Sequence, residues 1–184
     1  MNRRLARKQG EGLAGAKAEP EPEDAGERTI RAARRKKSAF ELAVGALSRK
    51  ERTVAEMRAW LAARDADPAE AEEAIERLIE IEQLDDERYA SLFAEDKREL
   101  FGWGPDRIRT ALIDKGLTRA IADAAAGSES RADVAERAAD LLARRNDRLD
   151  DDSGRGKALA FLARRGYELE TAYEAVRLAE RRAA

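Results

Sequence analysis

Cysteine and histidine are both missing from these 184 residues. Their absence excludes disulfides, thiolate nucleophiles, zinc sites with Cys or His ligands, and imidazole general bases. Aromatic residues supply only 5% of the chain, so no large aromatic core is available. Of the four prolines, Pro20 and Pro22 lie near the start, and Pro68 and Pro105 stand further in. No apolar stretch approaches the roughly 18 residues that cross a bilayer. The basic start, Met1-Asn2-Arg3-Arg4-Leu5-Ala6-Arg7-Lys8, is not followed by a hydrophobic signal segment. The expectation is a soluble cytoplasmic protein, with room for one ordinary domain or a short array of small modules.

Charge is what the chain has in excess. Asp, Glu, Lys and Arg make up 40% of it, which suits small helices covered with ion pairs. The overall balance is −2, but residues 1–37 hold 11 bases against 6 acids, and residues 38–184 hold 25 against 32. The second segment, net −7, is therefore not expected to bind nucleic acid through bulk charge, although local basic stripes remain open.

Three helix-length blocks recur about fifty residues apart. They run Met57–Asp65, Ile108–Gly116 and Ala158–Gly166, with leucine at Leu61, Leu112 and Leu162. A base follows three residues later (Arg64, Lys115, Arg165), then a residue suited to a left-handed helix end (Asp65, Gly116, Gly166). Asp65 in place of glycine suggests a less tightly turned end in the first block. A fixed period of this length marks one supersecondary unit stacked on its neighbours. Such arrays present an extended surface to a large partner and enclose no catalytic pocket.

The reading is all-α: three tandem three-helix, helix-turn-helix-like repeats forming an elongated array, over 38–84, 85–127 and 128–184. Residues 1–37 read as a disordered basic and Pro/Glu-rich tail. Its Arg34-Arg35-Lys36-Lys37 cluster is read first as solvated, and second as a nucleic-acid-touching arm. Ser38 should cap a helix with a Phe40, Ala43, Val44, Leu47 stripe, and a second helix should cover about Val54–Arg64. Asp67 with Pro68 should start a third, burying Ala71, Ala74, Ile75 and Leu78. In the second repeat, Asp85 should cap a helix whose core stripe begins with Tyr89, Leu92 and Phe93. That helix should stop at Gly102-Trp103-Gly104. Pro105 then starts another with Ile108, Ala111 and Leu112 inside, and Thr118 caps the last, with Ile121 and Ala125. In the third, Val134, Ala138, Leu141 and Leu142 form one stripe before a polar break at Asp150–Gly154. Ala158, Phe161 and Leu162 form the next, and Leu169, Ala172, Ala175, Val176 and Ala179 the last.

At Gly102-Trp103-Gly104-Pro105-Asp106-Arg107-Ile108-Arg109, followed by Leu112 and Lys115-Gly116, the chain resembles the RecX family of recombinase regulators. Supporting segments are Leu84–Ala90, Ser48–Glu51 and Phe161–Tyr167, in matching order over roughly 38–184. The resemblance implies tandem three-helix repeats that bind the RecA recombinase filament on single-stranded DNA. It further implies that they lie in the filament's groove and depress ATP hydrolysis, strand exchange and co-protease activity. In that setting the protein would modulate homologous recombination, DNA repair and the SOS response as a monomer, without cofactor or membrane attachment.

Candidate partner-binding residues are Trp103, Arg107, Arg109, Arg144, Arg145, Arg164 and Arg165. Trp103 reads either as an exposed contact or as a wedge buried between helices. Arg107 and Arg109 flank Ile108 and should be solvent-accessible, open to a structural ion pair or a partner contact. The pairs Arg144-Arg145 and Arg164-Arg165 are stronger candidates, because adjacent arginines repel unless acids or phosphates meet them. One of each pair can also lay its stem over apolar surface. No residue is assigned to catalysis or to a metal: the carboxylate runs Glu70–Glu76 and Asp150–Asp152 lack the alternating pattern of a calcium loop. Two other classes compete with this reading. A direct DNA-binding helix-turn-helix-like protein is opposed by the acidic balance of 38–184, while the basic tail leaves weak contact with single-stranded or duplex DNA open. A carboxylate–metal nuclease finds no convergent Asp/Glu set.

Overall fold

A computed structural model describes residues 37–145 and 148–183; the tail expected over 1–37 lies, Lys37 aside, outside them. Among the described residues all regular structure is helical. The helices are α1 (Ala39–Leu47), α2 (Val54–Ala62), α3 (Pro68–Glu80), α4 (Asp86–Phe101), α5 (Pro105–Asp114), α6 (Arg119–Ala126), α7 (Arg131–Arg145), α8 (Asp152–Arg164) and α9 (Leu169–Ala183).

Their starts follow local side-chain chemistry. Ser38 and Thr53 form reciprocal capping boxes with Glu41 and Glu56. Asp67, Asp85, Thr118 and Asp151 each accept a hydrogen bond from a first-turn N–H. Each such cap stabilises its helix by about 1 kcal/mol. Pro68 and Pro105 occupy first helical positions, where the missing N–H leaves nothing unpaired. The polar break expected through Gly154 is shorter: Asp151 caps α8, and Ser153 and Gly154 lie inside it.

Within each three-helix unit the last helix packs on the other two: α3 on α1 and α2, α6 on α4 and α5, α9 on α7 and α8. Each unit holds its own apolar cluster, and Leu61, Leu112 and Leu162 are all completely buried. The stripe Ala71, Ala74, Ile75 and Leu78 of α3 is buried as expected, while three expected apolar positions elsewhere lie off the contact line. In α1 the buried residues are Ala39, Ala43 and Ala46, while Val44 is 43% exposed. In α4 they are Ala90 and Ala94, with Leu92 at 44%, and Leu169 of α9 is 62% exposed. Alanine takes the contact line because it lets helices approach closely, and larger side chains are displaced to its flanks.

The repeated turn after each second helix is the same structure three times. Asp65, Gly116 and Gly166 have φ of 54°, 84° and 84°. The N–H groups of Ala66, Leu117 and Tyr167 donate to the carbonyls of Leu61, Leu112 and Leu162, at 3.3, 3.2 and 3.1 Å. This is the six-to-one bond of a Schellman turn. The first turn is therefore closed as the others are, despite its aspartate.

These turns join the units. The α5 turn abuts the start of α2: Thr53 Oγ1 donates to the Lys115 carbonyl at 2.8 Å. Lys115 Nζ meets Glu56 Oε1 at 2.7 Å. The α8 turn abuts the start of α5 in the same way, with Gly104 N–H donating to the Arg165 carbonyl at 2.7 Å and Asp106 N–H to the Gly166 carbonyl at 3.1 Å. A Cβ on Gly116 would collide with Ala55, and one on Gly166 with the Arg107 backbone, so glycine is required where a unit docks. Among the described residues, the turn on which no unit docks is the one that carries a Cβ, at Asp65. At the opposite end α8 has 13 residues against 9 in α2 and 10 in α5. The Arg148 backbone packs over Gly154, the position that aligns with Thr53 and Gly104.

Candidate functional site

The joint between the second and third units gathers cations and aromatic rings. Gly102, at φ 60°, ends α4, and Gly104-Pro105 starts α5, which leaves Trp103 half-buried between two helix ends. Its ring meets Phe93 edge-on at 6.4 Å and Phe101 at 6.2 Å. Its carbonyl accepts from Arg137 at 3.0 Å, so it serves as wedge and as surface at once. Arg107 stacks 4.2 Å over the Trp103 ring. Lys97 sits 4.4 Å from the ring centre of Phe101 and 5.4 Å from that of Trp103.

Across the joint, Phe161 on α8 lies between Arg145 at 4.0 Å and Arg165 at 4.9 Å. Arg165 also donates to the carbonyl of Phe101, and Arg107 reaches the carbonyl of Arg164 at 3.4 Å. Cation–aromatic contacts of this kind contribute about 0.5–1 kcal/mol each at exposed positions and fix where the charges stand. Lys97, Arg107, Arg164 and Arg165 have no carboxylate partner among the described residues. Beside them Leu100 is 72% and Phe101 48% exposed.

The remaining predicted residues lie elsewhere. Arg109 bridges Asp106 and Asp123, the latter at 2.6 Å. The Asp106 hydrogen bond outweighs partial burial and, with Asp123, raises its pKa. Arg144 borders a separate cleft of about 450 Å³ with Arg98, Glu99, Glu136 and Asp140. Trp103, Arg107, Arg145, Arg164 and Arg165 are thus brought together, and Arg109 and Arg144 are not. Sequence reasoning missed Lys97, Phe101 and Phe161. The spacing of Phe93, Lys97 and Phe101, and of Phe161 and Arg165, is i, i+4 on one helix face and carried that signal.

Chemically, the patch offers forked donors and an ammonium held against aromatic faces, beside exposed apolar side chains. Such an arrangement receives carboxylates or phosphates. Among the described residues no three acidic side chains are grouped to hold a metal ion, and no helix is long and apolar enough to cross a membrane.

Comparison with known proteins agrees with this architecture. Residues 39–78 match the domain family described as "RecX, first three-helix domain", and residues 85–125 match "RecX, second three-helix domain". A Regulatory protein RecX of Thermus thermophilus is 36% identical over 142 residues, 77% of this chain and 92% of that protein. One of Xanthomonas campestris pv. campestris is 38% identical over 128 residues, 68% of this chain and 78% of that protein. The crystal structure of RecX from Lactobacillus salivarius superposes with a TM-score of 0.70 at 23% identity, covering 77% of this chain and 94% of that one. With three-helix units, paired family domains and relatives of this similarity, the chain belongs to the RecX family of regulatory proteins.

Proposed function

We propose that this protein is a non-catalytic regulator that binds the RecA filament on single-stranded DNA. On this reading it inhibits ATP hydrolysis, strand exchange and co-protease activity, and so modulates recombination, repair and the SOS response. The observation that carries the reading, beyond family membership, is the carboxylate-free cluster of Lys97, Arg107, Arg164 and Arg165 around Trp103, Phe101 and Phe161. In an acidic chain segment this is a local basic surface whose four cations have no carboxylate partner among the described residues. Arg109, paired with Asp106 and Asp123, and Arg144, on a separate cleft, stand outside this cluster. Three units, 38–84, 85–127 and 128–184, spread the contact over neighbouring filament subunits, so that each reinforces the next through effective concentration. On this reading the protein acts as a monomer.

The test is binding of the full chain to the filament, to free single-stranded DNA and to duplex across a salt series, with filament ATPase measured alongside. Filament binding with ATPase inhibition, and only weak contact with free DNA, supports the reading. Tight binding to naked DNA that weakens steeply with salt, without effect on the ATPase, supports direct DNA binding as the activity instead.

A further inference from the structure

The other joint carries a different surface. A groove of about 410 Å³ runs between α1, the end of α3 and the start of α4. Val44 and Ile81 line it and remain 43% and 50% exposed. Together they give the groove an apolar lining that another chain can cover. The rim carries both signs of charge, Glu51 and Asp85 with Arg52 and Arg88.

Arg52 stands apart from Asp85 and Arg88. Asp85 is engaged as the cap of α4, and Arg88 donates to the Glu82 carbonyl at 3.0 Å. The half-buried Arg52 lies 5.5 Å from the ring centre of Trp60. Its Nε is closed off from solvent without an acceptor, and no carboxylate pairs with it among the described residues. A partly desolvated guanidinium with no counter-charge is costly, and a carboxylate meeting the part of it that lines the groove offsets that cost through a charge-assisted hydrogen bond.

We propose that this groove receives a protein segment, apolar where it lies against Val44 and Ile81 and carrying a carboxylate that meets Arg52. The proposal rests on the reading that the partner is a protein filament, and makes the first joint a second anchor on it. Nucleic acid fits the groove less well. Glu51 and Asp85 repel a polyanion, and the one aromatic ring of the lining, Tyr89, is already stacked on Phe93 at 6.2 Å with Lys115 Nζ 5.6 Å from its centre.

The experiment compares full-length Arg52→Glu, Ile81→Asp and the double reversal Arg164→Glu/Arg165→Glu. Each is measured for binding to the recombinase filament on poly(dT), for binding to bare poly(dT), and for thermal melting by circular dichroism. Each groove variant is expected to bind the filament about tenfold more weakly, the loss of one anchoring side chain, with bare poly(dT) binding unchanged. Ile81→Asp should melt as the wild type does, because the new charge sits at an exposed position. Wild-type filament affinity in Ile81→Asp overturns the proposal, whatever Arg52→Glu does to the fold. A loss seen only on bare poly(dT) overturns it in favour of a phosphate ligand. If the arginine double reversal alone weakens filament binding, the groove assignment falls and the proposed function stands. If the unmodified chain does not bind the filament, the proposed function itself falls.

Discussion

Thr53 donates its hydroxyl to the carbonyl oxygen of Lys115 at 2.8 Å, across 62 residues of sequence. Gly104 does the same for Arg165 with its backbone N–H at 2.7 Å. The last carbonyls of a helix have no partner within it, and at each joint one of them is satisfied by the N-cap residue of the preceding unit's second helix. The negative end of one helix thereby meets the positive end of the next, a favourable arrangement of peptide dipoles. The joint is a repeated chemical device, and its parts can be removed one at a time.

Replacing Thr53 by Val keeps the shape and removes both roles of the hydroxyl. Thr53 is completely buried, so the Lys115 carbonyl loses its donor and the Glu56 N–H its cap. Chemical denaturation should show a loss of about 2–4 kcal/mol. A loss below about 0.5 kcal/mol, the level of an ordinary surface change, would mean that the joint does not form in solution as described.

The three left-handed turns should respond in opposite directions. Gly166→Ala adds a Cβ against the Arg107 backbone at φ 84° and should cost at least about 1–3 kcal/mol. Asp65→Gly, at a turn on which no described unit docks, removes an existing left-handed penalty and should lie between neutral and about 1 kcal/mol stabilising. Melting temperatures of the two single variants decide this; equal losses would contradict it.

The Glu56–Lys115 pair, with each side chain about a quarter exposed, sets a pH dependence. Burial pushes the Glu56 pKa up, but the Lys115 hydrogen bond and charge, with the Thr53 N–H, bring it below the ordinary value. Burial pushes Lys115 down, but Glu56 and Tyr89 carry it above its ordinary value. The carboxylate's contribution is present above the usual glutamate pKa and lost as pH falls through the lowered folded value. The ammonium's is present below the usual lysine pKa and lost as pH rises through the raised one. The stability advantage of wild type over Lys115→Met should therefore be flat around neutrality and shrink in acid. A urea series at stepped pH measures it, and an advantage that grows on acidification would reverse the assignment.

Arginine and leucine substitutions separate contact from core. Leu112→Asp or Leu162→Asp places an unpaired charge at a fully buried site and should cost about 3–5 kcal/mol or more, unfolding its unit. Arg164→Glu with Arg165→Glu removes the hydrogen bond to the Phe101 carbonyl, about 1 kcal/mol, yet should abolish most inhibition of the filament ATPase. If the reversals melt as early as the leucine variants, these arginines are structural. If they keep both fold and inhibition, the contact surface lies elsewhere.

The sequence by itself determined whatever one helix and its ends can encode. Leu61, Leu112 and Leu162 mark the repeat, Asp67-Pro68 and Gly104-Pro105 start helices, and Gly116 and Gly166 end them, because capping and left-handed turns depend on a few adjacent residues. The face of α3 was legible too, at Ala71, Ala74, Ile75 and Leu78, but which residues α1 and α4 bury was decided in three dimensions. Ala43, Ala90 and Ala94 displaced Val44 and Leu92 from the core because the approach of a neighbouring helix, not hydrophobicity alone, selects the contact line. The site followed the same rule. Arg107 and Arg164 meet across 57 residues and Arg165 and Phe101 across 64, while Arg109, two positions from Arg107, is held by Asp106 and Asp123. A run of arginines states how much charge is present, but only the docking of one unit's turn on the next decides which charges meet a carboxylate and which do not.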